Sequence, residues 1–133
     1  MMIELPVKTT KREQFLDITS EIARIVVESG IANGVVYCYV PHTTAAVTIN
    51  ENADPDVPRD IISKLNRLIP QSDGYAHGEG NSDAHVKSSL IGCSLSVPFE
   101  NGRLLLGTWQ GIFFCEFDGP RSRRLMVRVT ASA

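Results

Sequence analysis

The 133-residue chain predicts an α+β fold: a single compact domain over residues 1–133, mostly antiparallel sheet with about three helices. Three observations predict it. Strand-like and helix-like stretches are mixed along the first two thirds. The last third is an unbroken run of β-like segments. A strong tight-turn dipeptide, Asn101-Gly102, sits inside that run and marks an antiparallel hairpin.

Residues 3–9 alternate well enough for a strand, and 14–16 form a second extended piece. Asp17 or Thr19 then caps a helix to about Ser29, with Ile18, Ile22, Ile25 and Val26 on one face and Gly30 closing it. Gly34 to Val40 (GVVYCYV) reads as a buried strand, interrupted by Pro41 and resumed from Ala45 to Asn50. Asp54 or Asp56 opens a second helix that runs to about Leu68 and stops before Pro70. A polar loop covers 71–81. Asn81 or Ser82 caps a third helix, Asp83 to Ile91, ended by Gly92. Strands follow at Cys93–Phe99, Arg103–Thr108, Trp109–Phe117 and Leu125–Thr130, with Asp118-Gly119-Pro120 turning the chain.

Composition bounds the function. The chain is 43% hydrophobic and 21% charged, enough apolar matter for a real core. Its net charge of −2 argues against general nucleic-acid binding, which needs a basic field. No apolar run approaches the roughly 20 residues of a membrane span. The N-terminus lacks the order of a signal peptide, so a cytoplasmic location is expected. Cys38, Cys93 and Cys115 are odd in number and widely spaced, which reads as reduced thiols rather than a disulfide framework.

Chemistry concentrates around the only histidines, His42, His77 and His85. Glu51, Asp54, Asp56 and Asp60 follow His42, while Glu79 and Asp83 flank the His77–His85 span. The spacing matches no tight zinc signature, so at this point it favours surface or structural histidines over a three-histidine metal site. Gly80-Asn81-Ser82 opens into a helix whose free N–H groups suit a phosphate, or serves simply as a turn and cap. Arg121, Arg123, Arg124 and Arg128 form the only dense basic cluster. Strand alternation puts Arg121 and Arg123 on one face and Arg124 and Arg128 on the other. The first two could grip a phosphate bidentately, or the cluster is a solvated edge strand. Trp109, between two glycines, reads as a core or subunit-contact residue.

Four segments carry a resemblance: His42-Thr43-Thr44-Ala45-Ala46, Ile49-Asn50-Glu51-Asn52-Ala53-Asp54-Pro55, His85-Val86-Lys87-Ser88-Ser89 and Gly107-Thr108-Trp109-Gln110-Gly111. The chain resembles the YjbQ family, UPF0047, over nearly its whole length. That resemblance implies a YjbQ-like domain assembled as a homotrimer. It also implies a shared site at His42, His77 and His85, holding a divalent metal (Zn or Mg) or acting as acid and base. Members of the family are often labelled secondary thiamine-phosphate synthase. The implied reaction joins a pyrimidine diphosphate to a thiazole phosphate with release of pyrophosphate. Glu51, Asp54 and Asp83 would then orient the histidines or complete the metal shell, while Arg121, Arg123, Gly80, Asn81 and Ser82 would bind the small phosphorylated substrate. The alternatives are a non-catalytic homotrimeric metal or small-ligand binder, or a metal-dependent hydrolase. The stretch Gly80–His85 departs from some relatives, which carry a longer acidic loop with a Met-Pro step there.

Overall fold

The computed structural model describes residues 2–133. In chain order the elements are β1 (Met2–Lys8), β2 (Gln14–Asp17), α1 (Thr19–Glu28), β3 (Gly34–Tyr39), β4 (Ala45–Glu51), α2 (Asp56–Leu68), α3 (Ser82–Ile91), β5 (Ser94–Glu100), β6 (Arg103–Leu104), β7 (Gln110–Glu116) and β8 (Ser122–Ala131). The strands form two sheets, ordered β1-β8-β3-β5-β6 and β2-β7-β4. All pairings are antiparallel. The α+β class, the three helices and the single domain are therefore as the sequence predicts. Among the described residues no helix is long and apolar enough to cross a membrane.

Period-two alternation explains the layering. On β8, Arg123, Leu125, Val127 and Val129 turn inward while Arg124 and Arg128 turn out. Their inward neighbours on β3, Val36 and Cys38, meet Ile112 and Phe114 of β7 across the gap between the sheets. The Ile22, Ile25 and Val26 stripe of α1 joins the same core. The other face of the three-stranded sheet carries Phe113, Cys115 and Phe117, which pack under Leu65 of α2 and Ala84 of α3. Because β7 is covered on both faces, its middle reads as a continuous apolar run.

Local chemistry sets the ends. Asp17 Oδ1 accepts the N–H of Thr19 at 3.0 Å at the start of α1. Asn101 and Gly102 both have positive φ, 52° and 73°, as the β5–β6 hairpin turn requires. Two strands differ from their sequence expectation. β6 ends at Leu104 because Gly107 and Gln110 close a turn: the Gln110 N–H donates to the Gly107 carbonyl at 3.0 Å, and Gln110 Oε1 accepts the Gly107 N–H at 2.8 Å. Trp109 rides that turn and is 64% exposed, so it is no core residue. β8 starts three residues earlier than its apolar pattern, because Ser122–Arg124 pair with Lys8–Pro6 of β1 whatever their polarity.

One buried polar knot holds the helical layer. Lys87 is fully buried, and its ammonium donates to Asp83 at 2.8 Å, Glu13 at 3.0 Å and Asn66 at 2.6 Å. Arg12 adds a fork onto Asp83 at 2.9 and 3.2 Å. Burial alone would raise the Asp83 carboxyl, but the bonds from Arg12 and Lys87 hold it below the usual carboxylate range. The β1–β2 connection, α2 and α3 are thereby tied through one cation. Lys87→Met should cost about 3–5 kcal/mol in urea unfolding, because it strands buried carboxylates. Arg12→Ala should cost less, since Lys87 still neutralises Asp83. A Lys87→Met variant within 1 kcal/mol of wild type would contradict this reading.

Candidate functional site

The three histidines come from three places: His42 from the β3–β4 connection, His77 from the loop before α3, and His85 from the first turns of α3. All three line one cavity of about 460 Å3, together with Asn81, Arg121 and Arg123. Glu79 and Asp118 supply its carboxylates. His77 and His85 stand edge to face, with ring centroids 5.5 Å apart, and His77 Nε2 lies 3.7 Å from Glu79.

His42 is anchored by backbone. The Arg124 N–H donates to His42 Nε2 at 3.0 Å. Partial burial and the positive charge of Arg123 lower the pKa of His42 from its ordinary value, so the ring is held neutral. With Nε2 accepting, the neutral ring carries its proton on Nδ1.

Behind His42 lies a second buried knot. Arg123 Nε donates to Glu116 Oε1 at 2.9 Å, and Nη2 donates to Glu116 Oε2 and to the Thr44 hydroxyl at 2.8 Å. Glu116 also accepts the Thr9 hydroxyl at 2.8 Å and the Asp118 N–H at 2.9 Å. Burial would raise the Glu116 carboxyl, but Arg123, the Asp118 N–H and Thr9 together hold it below the usual range. The neighbouring turn leaves no room for a side chain at Gly119, where a Cβ would sit 2.3 Å from the Lys11 carbonyl. That turn delivers Arg121, whose guanidinium holds Asp118 Oδ2 at 2.9 Å. Asp118 in turn accepts the Asn81 amide at 2.9 Å, which leaves Asn81 Oδ1 buried without a partner.

Several sequence-predicted residues are placed elsewhere. Asp83 is spent inside the Lys87 knot and does not line the cavity. Glu51 pairs with Gln110 at the far end of β4. Six residues beyond Ala45 along an extended strand, it lies about 20 Å away. Nearness in sequence to His42 was misleading because a strand carries its residues off in a straight line. Gly80 and Ser82 also stay out of this cavity, Ser82 lining only a neighbouring hollow beside His77 and His85. Arg123 is present but buried and ion-paired rather than a free phosphate fork. The three-imidazole metal set does not fit within one subunit: His42 Nε2 is already occupied, and among the described residues no group of three His, Cys, Asp or Glu stands close enough to hold a metal ion. Sequence reasoning missed Glu116 and Asp118. The signal for Glu116 was a lone carboxylate inside the apolar run Ile112–Phe117, which demands a buried partner.

Together these features define a small α+β protein: a two-sheet antiparallel sandwich, α2 and α3 on the smaller sheet, and an imidazole- and guanidinium-lined cavity where the two sheets are clamped. Comparison with known proteins places it further. The chain belongs to the YjbQ-like UPF0047 family, whose model matches residues 3–132. It is 54% identical to a UPF0047 protein of Methanocaldococcus jannaschii over 97% of this chain and 94% of that one. It is 51% identical to the UPF0047 protein YugU of Bacillus subtilis, over 97% and 98%. Among solved structures, an uncharacterised conserved YjbQ/UPF0047 protein of Clostridium acetobutylicum superposes with a TM-score of 0.94 at 52% identity, covering 96% of this chain and 99% of that one. A YbjQ-like protein of unknown function from Sulfolobus solfataricus also gives 0.94, at 33% identity, over 99% and 97%.

The Glu116 knot predicts a pH dependence. A carboxyl held lower in the folded chain than in the unfolded one, where it titrates near about 4.3, contributes stability that is full above that value and lost as pH falls through the folded pKa. Glu116→Gln should lower the urea midpoint at neutral pH and flatten its fall between about pH 5 and 3. An acid limb as steep as wild type would assign that limb to other carboxylates.

Proposed function

We propose that the cavity binds the phosphate or diphosphate of a small molecule, with Arg121 and Arg123 on one side and the imidazoles of His42, His77 and His85 on the other. One observation carries this reading. Glu116 and Thr44 hold two nitrogens of the Arg123 guanidinium, while the third, Nη1, makes no hydrogen bond among the described residues and belongs to a side chain that lines the cavity. A donor clamped from behind and unused in front is pre-organised for an anion. His42 supports it as an Nδ1–H donor, and Asn81 Oδ1 supports it as an acceptor for a ligand hydroxyl or amine.

The specific reaction in this reading is the thiamine-phosphate synthase type. The C–O bond of a pyrimidine diphosphate breaks, a C–N bond to a thiazole phosphate forms, and pyrophosphate leaves with the bonding pair. Arg121 and Arg123 would stabilise the departing charge. The carboxylates of Asp118, Glu116 and Glu79 outnumber the two guanidinium groups around the cavity. A divalent cation arriving with the diphosphate would supply the missing positive charge. Homotrimeric assembly and cytoplasmic residence belong to the same reading. Exposed Tyr37, Tyr39 and Met2 on the outer sheet face support self-association, and three unpaired cysteines support a reducing compartment.

Calorimetric titration with pyrophosphate, with and without Mg2+, tests the anion site. Binding should be measurable and strengthened by Mg2+, and Arg121→Ala and His85→Ala should each weaken it about tenfold, the loss of one charge-assisted bond. No heat in wild type, or wild-type affinity in both variants, would remove the proposal. Incubation with the two thiamine precursors and detection of thiamine phosphate tests the reaction separately, so binding without turnover would retain only the anion site. Light scattering after gel filtration should give three times 14.6 kDa.

A further inference from the structure

His42, Thr43 and His85 also line a second cavity, about 350 Å3 in volume, with Ala45, Ser88 and Cys93 among its walls. That volume is in the range of small-molecule sites. Its chemistry differs from that of the arginine side. Besides the two imidazoles and the Cys93 thiol, the lining carries no ionisable group, only hydroxyls, small apolar side chains and backbone. Ser88 is 7% exposed, and its Oγ is buried with no hydrogen-bond partner. A helical serine ordinarily returns its hydroxyl proton to the carbonyl four residues earlier, and Ser88 does not. A buried hydroxyl without a partner is unfavourable until something in the cavity bonds it. The wall is held firmly, since the Gly92 and Cys93 carbonyls accept the N–H groups of Val47 at 3.1 Å and Val40 at 2.7 Å.

We propose that this cavity is a second ligand subsite, built for an uncharged hydrogen-bonding group that pairs with Ser88 Oγ, with the exposed Cys93 thiol at its rim. An ionic group would enter without a counter-charge and lose its water, whereas an amide or hydroxyl finds Ser88, Ser89 and Thr43. The inference extends the anion-site reading: His42 and His85 then face both a charged and a neutral ligand half. Its test does not use an anion, so the two fail independently.

Cys93 itself provides the probe. Cys38 and Cys115 are buried, and burial pushes the Cys38 thiol up to about 12 and the Cys115 thiol further up, so disulfide exchange selects Cys93. The full-length protein is equilibrated, under a fixed excess of 2-mercaptoethanol, with two small disulfides of equal size, one ending in a primary carboxamide and one in isopropyl. Occupancy of Cys93 is read by intact mass spectrometry, and Cys93→Ser confirms the position. The carboxamide should be captured about fivefold better, the effect of one net hydrogen bond, and Ser88→Ala should bring the two within about twofold. Ser88→Ala removes an unpaired hydroxyl, so its unfolding midpoint should not fall. Equal capture of both disulfides by wild type, or an undiminished carboxamide preference in Ser88→Ala, overturns the proposal.

Discussion

The ion pair between Arg123 and Glu116 is the constraint on which the rest of the structure turns. Glu116 ends β7 of the three-stranded sheet, and Arg123 lies near the start of β8 in the five-stranded one. Thr44, just before β4, and Thr9, just after β1, complete the same knot from each sheet. Apolar packing between the sheets is non-directional and fixes no register between them. A guanidinium with two nitrogens on one carboxylate and a third contact to a hydroxyl does fix it. A buried pair of this kind adds little net stability over well-packed apolar groups, but breaking one side leaves an unmatched charge. Its contribution is geometric: wherever the sheets are joined this way, the residues beside the knot are placed too.

Those neighbours line the cavity. His42 is two residues before Thr44, and the N–H that holds its Nε2 belongs to Arg124, next to Arg123. Asp118 is two residues past Glu116, gives its N–H to that carboxylate, and gathers Arg121 and Asn81. The Lys87 knot does the equivalent for α3. Asp83 and Lys87, one helical turn apart, face inward to the β1–β2 connection and α2, which leaves His85 turned toward the cavity. Two buried charge clusters thus aim the imidazoles, and of their members only Arg123 lines the cavity.

This division explains what was legible in the sequence. Periodicity disclosed the helices and most strands, because burial on one face writes itself into residue order. Asn101-Gly102 disclosed its hairpin, because few dipeptides accept two left-handed residues. Alternation correctly put Arg123 opposite Arg124 and Arg128. The Lys87 knot was not legible, since Glu13 and Asn66 are remote in sequence and nothing local announces them. Glu51 was misjudged for the converse reason: proximity in sequence to His42 ended where β4 carried it away. The gathering of His42, His77 and His85 was legible through the family likeness and not through spacing, because it depends on a loop, a strand connection and a helix brought together by tertiary structure.

The anchoring of His42 decides what that residue can do. A free histidine offers either nitrogen as donor or acceptor, and a metal or a general base needs an available lone pair. Here the Arg124 N–H occupies the Nε2 lone pair, and burial beside Arg123 disfavours the doubly protonated ring. The remaining nitrogen, Nδ1, must therefore present a proton. His42 enters the site as a fixed donor, suited to an anionic or carbonyl oxygen, whereas His77 and His85 stand edge to face, 5.5 Å apart, with His77 beside Glu79. Three identical side chains in one cavity thus hold unequal roles, and the inequality comes from one backbone N–H on β8.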